Sequence, residues 1–314
     1  MKSMKKIIFV ISIIGIIVLG LYLAIRFSAI PKNNNQKLTV VTTIFPLYDF
    51  VKVIGQDKVE VSLLLPPGIE AHNFEPRPSD ISKINEADIF IYTGKLMEPW
   101  AEDIINGLSS KSLLVIDASA SLFPVGTLID NQSELSSEQD PHIWLDFDND
   151  KQIIQAIVEA LIMKDVPNAD YYRAQASDYQ ILLSDLDSRY RTALQECKSR
   201  EIIYGGHYAF AYLAKRYNLQ YFSAQGISPD SEPTAQDFVK LSEQIKQNNI
   251  KYIFYEELAS PKIAETIARE TGAQMLLLNA SHNVSREDLV DSKTFLQIME
   301  ENLNNLKIGL ECKK

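Results

Sequence analysis

The chemistry available to this chain rests first on four histidines: His72, His142, His207 and His282 are the only ones among its 314 residues. Neutral imidazole is a good ligand for zinc, copper, iron and nickel. The separations of 70, 65 and 75 residues match no local metal motif, so any site they share must be assembled by folding. A single loop histidine is more often a surface or hydrogen-bonded residue than a ligand. Four that all avoid predicted helix interiors say more. Together they would fill a tetrahedral zinc shell, and a shell so closed holds metal without activating water. Four neutral imidazoles leave the charge of a cation uncompensated, so nearby acids are expected to hold the ring N–H groups. Candidates are Glu70 and Glu75 around His72, Asp140 and Asp146 around His142, and the pair Glu256 and Glu257; for each the plainer reading is a solvated loop charge.

The elements that must position these residues are legible as alternating patterns. Short, β-branched apolar runs at Leu38 to Thr42, Val59 to Leu65, Ile89 to Tyr92 and Leu113 to Ile116 read as buried strands of a parallel sheet. Helical segments are predicted at Ser79 to Ala87, with Ser79 as N-cap, and at Trp100 to Leu108. The pattern recurs later, with strands at Ile202 to Tyr204, Leu219 to Phe222, Tyr252 to Tyr255 and Met275 to Leu278. Helices are predicted at Lys151 to Met163, Tyr208 to Tyr217, Thr234 to Asn248, Pro261 to Thr271 with Ser260 as N-cap, and Ser292 to Leu310. Strand and helix in alternation mean an α/β fold. His72, His207 and His282 each follow a predicted strand, and parallel α/β sheets bind ligands beyond the carboxyl ends of their strands.

Between the two runs of strands lies Asn168 to Cys197, free of Gly and Pro, with Ala176, Tyr179, Leu183, Leu186, Tyr190, Ala193 and Cys197 at spacings of three and four. At about 1.5 Å per residue this helix would be on the order of 45 Å long, enough to join two lobes. The expected organisation is a segment 1–36 outside the fold, an N-terminal metal-binding lobe 37–167, a linking helix 168–198 and a C-terminal metal-binding lobe 199–314. The metal site would lie in the cleft between two similar lobes, each a parallel sheet flanked by helices.

Composition narrows the function classes. The 46% hydrophobic content is enough for real cores, and a net charge of -10 with no basic stripe beyond the N-terminus argues against nucleic acid as a partner. Lys2, Lys5 and Lys6 precede an uncharged run from Ile7 to Ile25, closed by Arg26; this is a membrane anchor or a secretion signal, and either places the body outside the cytoplasm. In an oxidising compartment the sparse pair Cys197 and Cys312 is expected to form a disulfide, the alternative being two unpaired thiols. Polar residues from Leu122 to Asp140 read as a surface loop.

Several segments carry a more specific signal. GIEAHNFEPRPSD (Gly68 to Asp80), DPHIWLD (Asp140 to Asp146), IIYGGHYAFAYLAKRYNL (Ile202 to Leu219), GISPDSEPTAQDF (Gly226 to Phe238) and LLLNASHNVS (ending at Ser285) occur in this order. Together they resemble the metal-specific solute-binding proteins of bacterial ABC importers, the zinc and manganese group also called family 9, over essentially everything after residue 37. The resemblance implies two α/β lobes, one cation bound between them, and delivery of that cation to a membrane permease. It places His72, His142 and His207 at the first three ligand positions. Histidine at the third, where manganese importers usually carry glutamate, favours zinc. At the fourth, the family's usual carboxylate in a segment like LNPLEGLT is replaced here by His282, so the site is completed by His282 or by water. The family's histidine-rich loop and lipid-bearing Cys are missing.

These readings converge on an extracytoplasmic, monomeric Zn²⁺-binding protein that carries zinc as cargo to an ABC permease, with manganese or iron as the rival cargo in the same fold. An enzyme is not expected, since HExxH and GxSxG are both missing. If capture needs neutral imidazoles, affinity is expected to fall below about pH 6.5, the unperturbed histidine value.

Overall fold

In the computed structural model, described for residues 37–122, 140–227 and 233–313, short apolar runs pair into two separate parallel sheets. The first comprises β1 (Leu38–Thr42), β2 (Val59–Leu63), β3 (Ile89–Tyr92) and β4 (Leu114–Asp117), in the order β2-β1-β3-β4. The second comprises β5 (Glu201–Tyr204), β6 (Gln220–Ser223), β7 (Tyr252–Tyr255) and β8 (Gln274–Leu277), in the equivalent order β6-β5-β7-β8. Strand order reverses between β1 and β3 and again between β5 and β7, which opens a crevice at the carboxyl end of each sheet. The α/β architecture of two like sheets is therefore as expected. The apolar run at residues 7–25 and most of the acidic loop, residues 123–139, lie outside the described residues. Among the described residues no helix is long and apolar enough to cross a membrane.

The first helix, α1 (Phe45–Gly55), is absent from the sequence-based expectation. Its sequence FPLYDFVKVIG is largely apolar: Phe45, Leu47, Phe50, Val51 and Ile54 are buried, as is Asp49, and Lys52 is exposed. A short apolar run of this kind is hard to tell from a buried strand by periodicity. Helix α2 (Pro78–Glu86) starts one residue earlier than expected. Pro78, not Ser79, opens it, because the Asp80 carboxylate accepts the Arg77 backbone N–H at 3.1 Å and Pro has no N–H to satisfy. After α3 (Ala101–Gly107), the helix α4 (Phe147–Lys164) starts four residues before the predicted Lys151, because Asp146 caps it by accepting from Asp148 N–H.

The long helix α5 (Ala169–Gln195) runs 27 residues, about 40 Å, and packs against α1, α4 and the C-terminal α10 (Phe295–Gly309). Its buried stripe is Tyr172, Ala176, Tyr179, Leu183, Leu186, Tyr190 and Leu194, with Leu194 in place of the expected Ala193. Through these side chains one continuous core joins Val40 and Ile89 of the first sheet to Ile202 and Phe254 of the second. Cys197 lies beyond the helix and forms a disulfide with Cys312, tying the end of α5 to the chain after α10.

In the second half, α6 (Ala211–Arg216), α7 (Ala235–Gln247) and α8 (Lys262–Thr271) flank β5 to β8. The predicted cap Ser260 is displaced by Pro261, which itself precedes the first helical residue, while Gly272 ends α8 in the left-handed conformation at φ 80°. The final helix expected from Ser292 is two pieces, α9 (Arg286–Val290) and α10. A capping box between Thr294 and Gln297 starts the second.

Candidate metal centre

Each histidine reaches the cleft from a different element. His72 lies on the irregular stretch between β2 and α2, His142 just before the 3-10 turn Ile143–Leu145, His207 three residues after β5, and His282 after β8. His142 Nε2 stands 3.2 Å from His72 Nε2 and 3.1 Å from His207 Nε2. Tetrahedral ligands at about 2.0–2.1 Å from a zinc ion sit about 3.3 Å apart, which matches both separations from His142, and all three ligand atoms lie within 4.8 Å of one another. His142 and His207 are fully buried; His72 is the partly exposed member.

Carboxylates fix the far side of two rings. Asp140 Oδ1 lies 2.6 Å from His142 Nδ1 and also accepts the His142 backbone N–H at 3.0 Å. Donation of Nδ1–H to Asp140 leaves the Nε2 lone pair facing its neighbours. Glu256 Oε1 lies 2.8 Å from His207 Nδ1, and its other oxygen accepts the His207 backbone N–H at 3.3 Å. Gly206 makes that approach possible: a Cβ there would stand 2.6 Å from Glu256 Oε2. Burial, with like charge on the neighbouring rings, drives the His72 ring down to about 2, and burial likewise holds His142 well below its usual value. Both rings therefore remain neutral at any physiological pH.

His282 stands in different company. Its ring centroid is 5.8 Å from that of His207, against 5.0 to 5.2 Å within the trio of His72, His142 and His207. The ring is fully buried, yet its Nε2 faces Glu70 Oε2 at 3.5 Å and its Nδ1 faces Glu257 Oε1 at 3.9 Å. Glu70, Glu256 and His282 form a second group close enough to hold a cation, beside the first. Burial alone would depress His282, but Glu70, Glu257 and Glu256 outweigh it and hold the ring at about 9. In return, contact with His282 overcomes burial and keeps Glu70 well below the usual carboxylate range, whereas burial pushes Glu257 up to about 7.

Of the acids singled out in the sequence, Glu70, Asp140, Glu256 and Glu257 thus face histidine rings. Glu75 is exposed, and Asp146 turns away to Arg216, which donates to it at 2.5 Å and to Asp187 of α5 at 2.8 Å. That arginine ties the His142 segment to both α5 and the second sheet. The sequence reading took from the segment 280–284 only the fourth position, His282; the segment also meets the first lobe through side chains and backbone alike. Trp144 Nε1 donates to Ala280 O at 2.7 Å, Phe45 N–H to His282 O at 3.1 Å, and Gly68 N–H to Val284 O at 2.9 Å. Only the side chains of its neighbours reveal this stitching; its own sequence, ASHNV, carries no motif for it.

The sequence and the fold have counterparts among known proteins. A family model described as zinc-uptake complex component A, periplasmic (ZnuA), matches residues 40–309. The high-affinity zinc uptake system protein ZnuA of Bacillus subtilis (strain 168) is 35% identical over 292 residues, covering 90% of this chain and 90% of that protein. The zinc-binding protein AdcA of Streptococcus pyogenes serotype M18 is 32% identical over 289 residues; the match takes in 87% of this chain but 56% of AdcA, so the chain spans about half of that relative. The crystal structure of the Zn(II)-bound ZnuA-like domain of Streptococcus pneumoniae AdcA has a TM-score of 0.74 at 32% identity, covering 88% of this chain and 100% of the domain.

Proposed function

The chain belongs to the zinc-uptake complex component A family of periplasmic proteins, and from that premise we propose that it captures Zn²⁺ outside the cytoplasm as cargo and passes it to an ABC permease. His72, His142 and His207 hold the ion through Nε2, and His282 supplies the fourth nitrogen by exchanging its contact with Glu70 for the metal. The observation that carries this reading is the convergence of three Nε2 atoms from three separate segments at 3.1 and 3.2 Å, two of them backed by buried carboxylates. Four protein ligands leave no coordination position for an activated water, so the site binds and releases without catalysing. The lobes are 37–167 and 199–314, joined by the helix of 168–198, and the N-terminal apolar segment delivers the body to the outer side of the membrane.

Elemental analysis and X-ray absorption on residues 37–314, beside His142→Ala and His282→Ala, test this. One zinc per chain in a four-nitrogen shell, losing a nitrogen in each variant, is expected. Manganese or iron in an oxygen-rich shell would replace zinc as the cargo. An unchanged shell in His282→Ala would leave three histidines and a water.

A further inference from the structure

The stretch 64–77, which carries Glu70 and His72, contains no helix or strand, so its shape depends on what holds it from outside. Asn283, fully buried on the opposite lobe, does so with one side chain. Its Nδ2 donates to Pro66 O at 2.8 Å and to Ile69 O at 2.7 Å, using both amide hydrogens, while its Oδ1 accepts the Val284 backbone N–H at 2.8 Å. Gly68, at φ 79°, turns the chain between the two carbonyls and donates its own N–H to Val284 O at 2.9 Å. His72 follows three residues after Ile69 and is the most accessible of the converging rings. Release of a cation held by buried His142 and His207 therefore has to begin where His72 lifts away.

We propose that Asn283 is a positioning residue: a two-pronged latch across the cleft that holds the His72 loop shut and sets how slowly the metal leaves. This rests on His72 being a ligand. The latch's hydrogen bonds all go to backbone atoms, so it acts on the rate of release and supplies no ligand. A carboxylate in its place is isosteric and keeps the contact to Val284 N–H, but it has no hydrogens to donate and confronts two carbonyl oxygens with negative charge. Asn283→Asp is thus a harsher change than Asn283→Ala, although it alters less volume.

The test measures zinc dissociation from the full chain, by stopped flow against excess chelator, for wild type, Asn283→Ala, Asn283→Asp and Ile253→Val. The last trims a fully buried side chain in the second lobe's separate core, away from the cleft, and reports the effect of lost stability alone. Both Asn283 variants are expected to release zinc faster, by about tenfold or more and with Asp ahead of Ala, while binding one zinc with an unchanged nitrogen count by X-ray absorption. Wild-type release rates in both variants, or equal acceleration in Ile253→Val, would overturn the latch. Hydrogen exchange at the amides of residues 68–72, measured on metal-free protein, separates the two readings. Faster exchange in both variants is expected even if the wild type proves to bind no zinc, an outcome that would sink the functional reading and not this one; unchanged exchange would sink the latch.

Discussion

The two ends of the cleft use the same side chain for opposite electrostatic ends. At one, His72, His142 and His207 crowd together, the His142 Nε2 barely over 3 Å from each of the other two, and burial with like charge nearby keeps His72 and His142 neutral. At the other, His282, equally buried, is surrounded by Glu70, Glu256 and Glu257 and is held as a cation up to about pH 9. Imidazole identity alone does not make a ligand. What faces the ring nitrogens decides whether a lone pair or a proton is presented to the cleft, and only a lone pair binds metal.

The sharpest way to break this contrast is to remove the ring at the centre of the trio. Structural zinc binding is worth on the order of 10–16 kcal/mol over four ligands, so losing one costs about 3 kcal/mol, roughly 100-fold or more in affinity. Titration of His142→Ala against a chromogenic chelator should show that loss; less than tenfold would mean the trio is not the metal centre. A second test concerns pH. Since His282 must shed its proton to ligate and its ring is held at about 9, affinity is greatest above that value and falls by about tenfold for each unit of acidification below it. The expected onset thereby moves upward from about 6.5, because Glu70, Glu257 and Glu256 outweigh burial at His282. The slope between pH 9 and pH 7 should vanish in His282→Gln; a slope that survives there assigns the proton elsewhere. Smaller still is the effect of the supporting carboxylates. Asp140→Asn and Glu256→Gln are each expected to weaken zinc binding by about 10- to 100-fold, toward the lower end for Glu256, whose Oε1 approaches the ring without good hydrogen-bond alignment. Isothermal titration would check both, and an unchanged affinity would make the backing acids mere neighbours. By contrast, Leu183→Ala on α5 should cost about 2–5 kcal/mol of folding stability, read by denaturant melts, yet leave one zinc per chain.

Much of the fold was legible because its buried strands are short β-branched runs and α5 repeats its apolar residues at helical spacing. Where the signal was weakest, physics explains why: α1 is a short, mostly buried run that periodicity does not separate from a buried strand, and where a proline competes with a serine the cap of α2 slid by two residues and that of α8 by one. For the site, the count of histidines and their places after strands pointed to a shared cleft, and the acids two residues from His72 and His142 were visible as neighbours. Their division of labour was not. That Glu70 faces a histidine more than two hundred residues away, that Asp146 serves Arg216, and that Asn283 grips the His72 loop are consequences of packing between lobes, which local spacing does not encode.

The bridge from Cys197 to Cys312 has a bearing on biogenesis. With a separation of 115 residues it turns the whole second sheet, together with His207 and His282, into a covalent ring. A ring cannot be threaded through a narrow pore as a single strand, so oxidation has to follow passage of this half across the membrane. It also withdraws the chain's only two thiols from metal chemistry. Before that moment a thiophilic cation meets thiols; afterwards the nitrogen and oxygen donors of the cleft have it to themselves. Maturation and cargo chemistry are thereby placed in sequence by one bond.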